Sequence, residues 1–165
     1  MGQKFLWTAI NNAGQHENTG KYVGTIANKF NQAGRSVMST LQRILYVEDD
    51  PDIQAVAKLA LEMVGGFTMK VCSSGDEAVL EAATFAPDII LLDVMMPGMD
   101  GPATLLALRK QPALDHVPFV FMTAKVQSAE VAYYKSLGAL DVIAKPFDPM
   151  ELSQQIQNIW QQHNV

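Results

Sequence analysis

The stretch DIILLDVMMPGMDG, residues 88–101, decides how this chain is read. Ile89, Ile90, Leu91 and Leu92 form an unbroken apolar run with an acid at each end, Asp88 and Asp93. A short run without polar alternation predicts a strand covered on both faces. Gly98 to Gly101 predicts a turn, and a helix follows to about Lys110.

Working outward, the same unit recurs. Ile44 to Val47 is a second short apolar strand, and Asp50-Pro51 supplies an N-cap with a first-turn proline. Ile53, Val56, Ala57, Ala60, Leu61 and Val64 follow at helical spacing, and Gly65-Gly66 closes that helix. Phe67 to Cys72 predicts another strand, and Ser74-Gly75-Asp76-Glu77 is a capping box for the next helix. Downstream, Val117 to Met122 predicts a strand, Ser128 to Leu137 a helix stopped by Gly138, and Leu140 to Ala144 a strand. Asp148-Pro149-Met150-Glu151 repeats the cap, the proline and the acid, and Leu152, Ile156, Ile159 and Trp160 line a last helix. Five apolar strands alternating with five helices predict an α/β fold with a parallel sheet between two helical layers. In such a sheet the functional crevice lies outside the carboxyl ends of the strands.

Composition narrows the function. The chain has 165 residues, 48% of them hydrophobic, enough for a proper core. A net charge of −5 excludes a basic nucleic-acid footprint on the whole-chain balance. A single cysteine, Cys72, excludes an internal disulfide and a cysteine-rich zinc site, and its setting predicts a packing residue at a strand end. No apolar run reaches the roughly 18–20 residues of a membrane helix, and Met1 to Ile10 is too short and polar for a secretory signal. The expectation is a cytoplasmic protein without membrane insertion.

Residues 1–37 differ from the rest. They hold five glycines and five asparagines, and Lys4, Lys21, Lys29 and Arg35 stand against Glu17 alone. That is a net +3, which leaves −8 for the remainder of a chain at −5. Tyr22, Ile26 and Phe30 share a four-residue spacing that allows a short helix. Residues 1–37 are therefore set apart as an extension or leader of unknown role, and 38–165 as the domain. An added leader, an upstream-translated extension and a docking arm all fit, the first two better.

The predicted strand ends carry the chemistry. The first strand ends in Glu48-Asp49-Asp50, the third in Asp93, the fourth in Thr123 and the fifth in Lys145-Pro146. Taken singly, Asp50 reads as a helix cap, Glu48 and Asp49 as acids suited to a helix N-terminus, and Lys145 as a solvated lysine. Together they would crowd carboxylates at one crevice against a single lysine, which is costly without a further cation. Three carboxylates make a hard-oxygen site of the kind Mg²⁺ favours. A carboxylate beside such an ion can accept a phosphoryl group, with a lysine and a hydroxyl to hold its oxygens.

The ordered spacing resembles the receiver domains of bacterial response regulators, the single-domain chemotaxis regulators among them. Asp49 lies 44 residues before Asp93, Thr123 lies 30 after it, and Lys145 lies 22 after Thr123. Residues 92–101 resemble the phosphoacceptor segment of that family nearly residue for residue, and the likeness covers about residues 42–162. The resemblance implies a flavodoxin-like doubly wound sheet in the order 2-1-3-4-5. It implies Asp93 as phosphoacceptor. It further implies Mg²⁺ held by Asp49, Asp93 and the backbone carbonyl of Met95, with Glu48 reaching the ion through water. Thr123 and Lys145 would bind the phosphoryl group, and the Lys145-Pro146 bond would be cis. The donor would be a histidine kinase or a histidine phosphotransfer protein, and the output a downstream protein target. The chain would not be an enzyme beyond catalysing its own aspartyl phosphorylation and dephosphorylation.

One departure stands out. Many relatives carry an aromatic residue three before the lysine, where this chain has Val142. That puts the aromatic arm of the switch in doubt and leaves the Thr123 arm and the following helix, which carries Tyr133 and Tyr134. At most one of those two can pack fully inward. With the chain closing soon after the last helix, the expectation is a single-domain regulator that binds protein rather than nucleic acid. The principal alternative is a phosphorylation-independent scaffold of the same fold. An aspartyl-nucleophile phosphatase wants a second acid two residues after Asp93, where Met95 stands. A flavodoxin-like redox protein would find its anionic cofactor repelled by Glu48-Asp49-Asp50.

Overall fold

The strands pair as their continuous apolar character requires. In the computed structural model, which describes residues 40–163, β1 (Arg43–Val47), β2 (Thr68–Cys72), β3 (Ile89–Asp93), β4 (Phe119–Thr123) and β5 (Asp141–Ala144) form one sheet. Its order is β2-β1-β3-β4-β5 and every pairing is parallel. β3 and β4 are buried along their whole length, as strands with apolar residues on both faces must be. The extension over residues 1–37 lies outside the described residues.

Alternate strand residues face opposite sides of the sheet, so the core has two layers. Leu45, Val47, Ile90, Leu92, Phe119 and Phe121 pack against α2 (Gly75–Phe85), α3 (Gly101–Arg109) and α4 (Ser128–Ser136). Ile44, Tyr46, Ile89, Leu91, Val120 and Met122 pack against α1 (Pro51–Lys58) and α5 (Leu152–His163). Each fully buried Leu or Ile contributes about 2 kcal/mol. Among the described residues, no helix is long and apolar enough to cross a membrane.

Two of the three expected caps, Asp50 and Ser74, act where the sequence puts them. Asp50 accepts from the backbone N–H of Asp52 at 2.9 Å and of Ile53 at 3.2 Å. Asp100, within the expected turn, adds a further cap by accepting from Ala103 N at 2.8 Å and opens α3. Ser74 accepts from Glu77 at 3.1 Å, and the Glu77 carboxylate returns to the N–H of Ser73 at 2.7 Å, one residue further back than in the usual box. Each such cap stabilises its helix by about 1 kcal/mol.

Two elements differ from the expected spacing. The helix predicted through Val64 is α-helical only to Lys58 and continues as a π-helix, Leu59–Val64. Gly65 N donates to Ala60 O across five residues and Phe67 N to Leu61 O across six. The widened turn keeps Ala57, Ala60 and Leu61 buried, but it turns Val64 outward, and Val56 is exposed as well. The last helix begins at Leu152, three residues after the predicted proline. Asp148 first closes a tight turn of its own, accepting from Met150 N at 2.8 Å.

Candidate functional site

Parallel strands all end on the same edge, so residues far apart in sequence meet there. Glu48 follows β1, Asp93 ends β3, Thr123 ends β4 and Lys145 follows β5. Glu48, Asp93 and Thr123 are 1%, 3% and 1% exposed. Lys145 Nζ lies 2.7 Å from Asp93 Oδ1 and 2.8 Å from Glu48 Oε2, the latter contact spanning 97 residues of chain. One carboxylate oxygen from each of Glu48, Asp49 and Asp93 lies within 4.8 Å of the others, with Asp49 exposed. A cleft of about 230 Å³ is lined by Glu48, Asp49, Asp93, Met95, Thr123 and Lys145, all six residues singled out from the sequence. Asp50 also borders it, but its side chain caps α1. The Lys145-Pro146 bond is cis.

The local electrostatics follow from this crowding. Burial works against the charge of Lys145, but its hydrogen bonds to Asp93 and Glu48 prevail and raise its pKa. The lysine therefore stays charged throughout the neutral range and offsets part of the carboxylate cluster. Thr123 Oγ1 accepts from Lys125 N at 3.1 Å, which anchors the loop after β4, and the hydroxyl is also hydrogen-bonded to the side chain of Tyr134.

The backbone at Asp93 is held from two sides. Val94 N donates to Met122 O at 3.2 Å, and Gly101 N donates to Val94 O at 3.0 Å. A Cβ on Gly101 would sit 2.4 Å from the Asp93 carbonyl oxygen. Only glycine lets the first turn of α3 approach the end of β3 this closely.

Two of these residues escaped the sequence reading. Gly101 was visible only as part of a turn. Along the chain Tyr46 is one member of an apolar strand, yet its hydroxyl donates to Glu48 Oε2 at 3.0 Å. Burial, then the Glu48 carboxylate, push its phenol far above the usual range, so it remains a donor. The available signal was the two-residue spacing, which places Tyr46 and Glu48 on the same side of an extended chain.

The surroundings of the cleft are unequal. An apolar groove of about 560 Å³ runs along Ile53, Val56, Ala124, Pro146 and Phe147, with Lys145 in its wall. On the other side Tyr134 is buried, its ring 5.2 Å from that of Phe121, while Tyr133 is 53% exposed, so one tyrosine of the pair packs inward. Val142 is in register with Phe121 and packs on the same core.

Comparison with known proteins agrees with this geometry. Residues 44–157 match the family described as the response regulator receiver domain. The DNA-binding response regulator MtrA of Mycolicibacterium smegmatis is 38% identical over 111 residues, 67% of this chain and 47% of that one. The alkaline phosphatase synthesis transcriptional regulatory protein PhoP of Bacillus subtilis is 33% identical over 124 residues, 75% of this chain and 50% of that one. The chain thus spans about half the length of the curated relatives it matches. Among solved structures, the chemotaxis protein CheY4 of Vibrio cholerae superposes with a TM-score of 0.67 at 27% identity, over 73% of this chain and 99% of that one. A response regulator from Desulfuromonas acetoxidans does so with a TM-score of 0.66 at 28% identity, over 73% and 98%.

Proposed function

Given a chain that belongs to the response regulator receiver domain family, a family of two-component signalling proteins rather than of enzymes, we propose that it accepts a phosphoryl group on Asp93 and thereby switches a protein–protein interaction. The observation that carries this is the pairing of a nearly buried Asp93 with Lys145 at 2.7 Å, beside two more carboxylates.

The donor set fits Mg²⁺. The three side chains are all hard oxygen ligands, they converge within 4.8 Å, and their charge exceeds that of the one lysine among them. Asp49, Asp93 and the Met95 carbonyl would hold the ion, with Glu48 reaching it through water. When bound, the ion neutralises charge on the phosphoryl oxygens and the acids around them.

The chain's own residues do the rest. A carboxylate oxygen of Asp93 attacks the phosphorus of a phosphohistidine, an O–P bond forms as the P–N bond breaks, and the imidazole leaves with a proton from solvent. Lys145 transfers its hydrogen bond from Asp93 to a phosphoryl oxygen, and the Thr123 hydroxyl donates to another. Water later cleaves the acyl phosphate. Movement of Thr123 pulls the loop 124–127 and with it α4, whose exposed Tyr133 offers the altered surface. Val142 supplies no aromatic arm, so the threonine arm carries the change.

The donor is a histidine kinase or a histidine phosphotransfer protein. The apolar groove beside Lys145 suits its approach, since Val56 there is exposed next to the cleft. The output is a downstream protein, in the cytoplasm, with no nucleic acid or membrane bound directly by the receiver domain over residues 38–165. The acidic balance of that region supports this.

The test is intact-mass measurement after incubation with Mg²⁺ and acetyl phosphate. A single phosphoryl adduct is expected on the wild type and none on Asp93→Asn. A wild type that binds Mg²⁺ but takes no phosphoryl group, from acetyl phosphate or from a kinase, would favour the phosphorylation-independent scaffold instead.

A further inference from the structure

We propose that Tyr46 is a positioning residue of the acidic cleft, fixing the Glu48 carboxylate so that it can serve both Lys145 and a divalent ion. This rests on the reading of the cleft as a Mg²⁺ site. Tyr46 lies within β1, fully buried, with its ring in the core layer that packs on α1 and α5. A phenylalanine would fill the same volume. The hydroxyl is a polar group in an otherwise apolar setting, and burying it is unfavourable unless it is hydrogen-bonded. Its partner is Glu48 Oε2, at 3.0 Å.

The Glu48 carboxylate is held by three donors, two from its own stretch of chain and one from beyond β5. Tyr46 and Lys145 both donate to Oε2, at 3.0 and 2.8 Å, and the Asp50 N–H donates to Oε1 at 3.3 Å. A continuous chain of hydrogen bonds therefore runs from Tyr46 through Glu48 and Lys145 to Asp93. One link in it is temporary, because Lys145 must turn to the incoming phosphoryl group. Tyr46 then keeps Glu48 in place while Lys145 is engaged elsewhere. Hydrogen bonds of this kind orient carboxylates around metal sites, and their loss typically weakens metal binding about 10- to 100-fold.

Calorimetric titration with Mg²⁺ alone tests this on the wild type, Tyr46→Phe, Glu48→Gln and the double variant. Tyr46→Phe is expected to weaken Mg²⁺ binding about tenfold. In the Glu48→Gln background the same change should add nothing, because its effect passes through Glu48. Unchanged affinity in Tyr46→Phe, or an equal loss in both backgrounds, overturns the proposal. A melting curve without metal is run alongside. A Phe variant that does not fold also overturns it, since the hydroxyl would then serve the fold rather than the site. A wild type that binds no Mg²⁺ removes the reading of the cleft and this inference together, a failure distinct from one confined to the variant.

Discussion

The two ends of the sheet use the same residue types for opposite purposes. β3 is flanked by Asp88 at its amino end and closed by Asp93 at its carboxyl end. At the amino end, Asp88 accepts from the backbone N–H of Gln42 at 2.9 Å and of Arg43 at 2.8 Å. Arg43 donates to the Phe85 carbonyl and stacks 4.6 Å from its ring. Acid and cation there are both engaged by backbone or ring, and the cluster ties β1 to β3. At the carboxyl end, three carboxylates gather around the single ammonium of Lys145. Like charges held this close repel one another. A ligand that brings positive charge would relieve that cost, and this sets the carboxyl end apart from the other.

The largest test of the contrast is Lys145→Ala. It leaves Glu48 and Asp93 buried without their cation and should destabilise the metal-free protein by about 3 kcal/mol. Urea denaturation reads this, and adding Mg²⁺ should restore part of the loss. An unchanged midpoint would mean that the carboxyl end is no more strained than the amino end.

A smaller pair of changes should have opposite signs. Asp88→Ala removes the acceptor of two backbone N–H groups and should cost about 1 kcal/mol, with acetyl-phosphate labelling of Asp93 unaffected. Asp49→Asn removes one of the crowded charges and should raise metal-free stability by about 0.5 kcal/mol while weakening Mg²⁺ binding. Destabilisation by Asp49→Asn, or loss of labelling in Asp88→Ala, would break the comparison.

The smallest effect at neutral pH belongs to Cys72, which ends β2 at the carboxyl edge. Burial first, and then the Glu77 carboxylate, push its thiol up to about 12 from an ordinary 9.0. The folded thiol keeps its proton where the unfolded chain loses it, so stability should fall as pH rises from about 9 to about 12 and be indifferent below that. Denaturant melts of the wild type and Cys72→Ala at about pH 8 and about pH 10 check this. The variant should lose less stability over that interval, and the raised phenols of Tyr46 and Tyr134 account for what remains.

Much of the fold was legible because its causes are local. Asp50 and Ser74 announce helix starts through side chains that reach two or three residues onward. The apolar runs at Ile44–Val47 and Ile89–Leu92 announce buried strands, and parallel connection brings their ends to one edge. The boundaries slipped where local and tertiary demands differ. The spacing from Ile53 to Val64 reads as one regular helix, yet the core takes Leu61 and Phe67 and leaves Val64 outside, which the π-turn makes possible.

The sequence by itself determined the order of the elements, the caps at Asp50 and Ser74, the edge at which Glu48, Asp49, Asp93, Thr123 and Lys145 collect, and the resemblance from which their roles are inferred. Each follows from residue type and short-range spacing. Only the tertiary structure decided which of Tyr133 and Tyr134 turns inward, how near Gly101 approaches Asp93, and that Tyr46 joins the site through Glu48. Those outcomes depend on distances between side chains on different elements, or on the direction of one hydroxyl within a packed layer. Packing sets both, and no pattern along the chain specifies them.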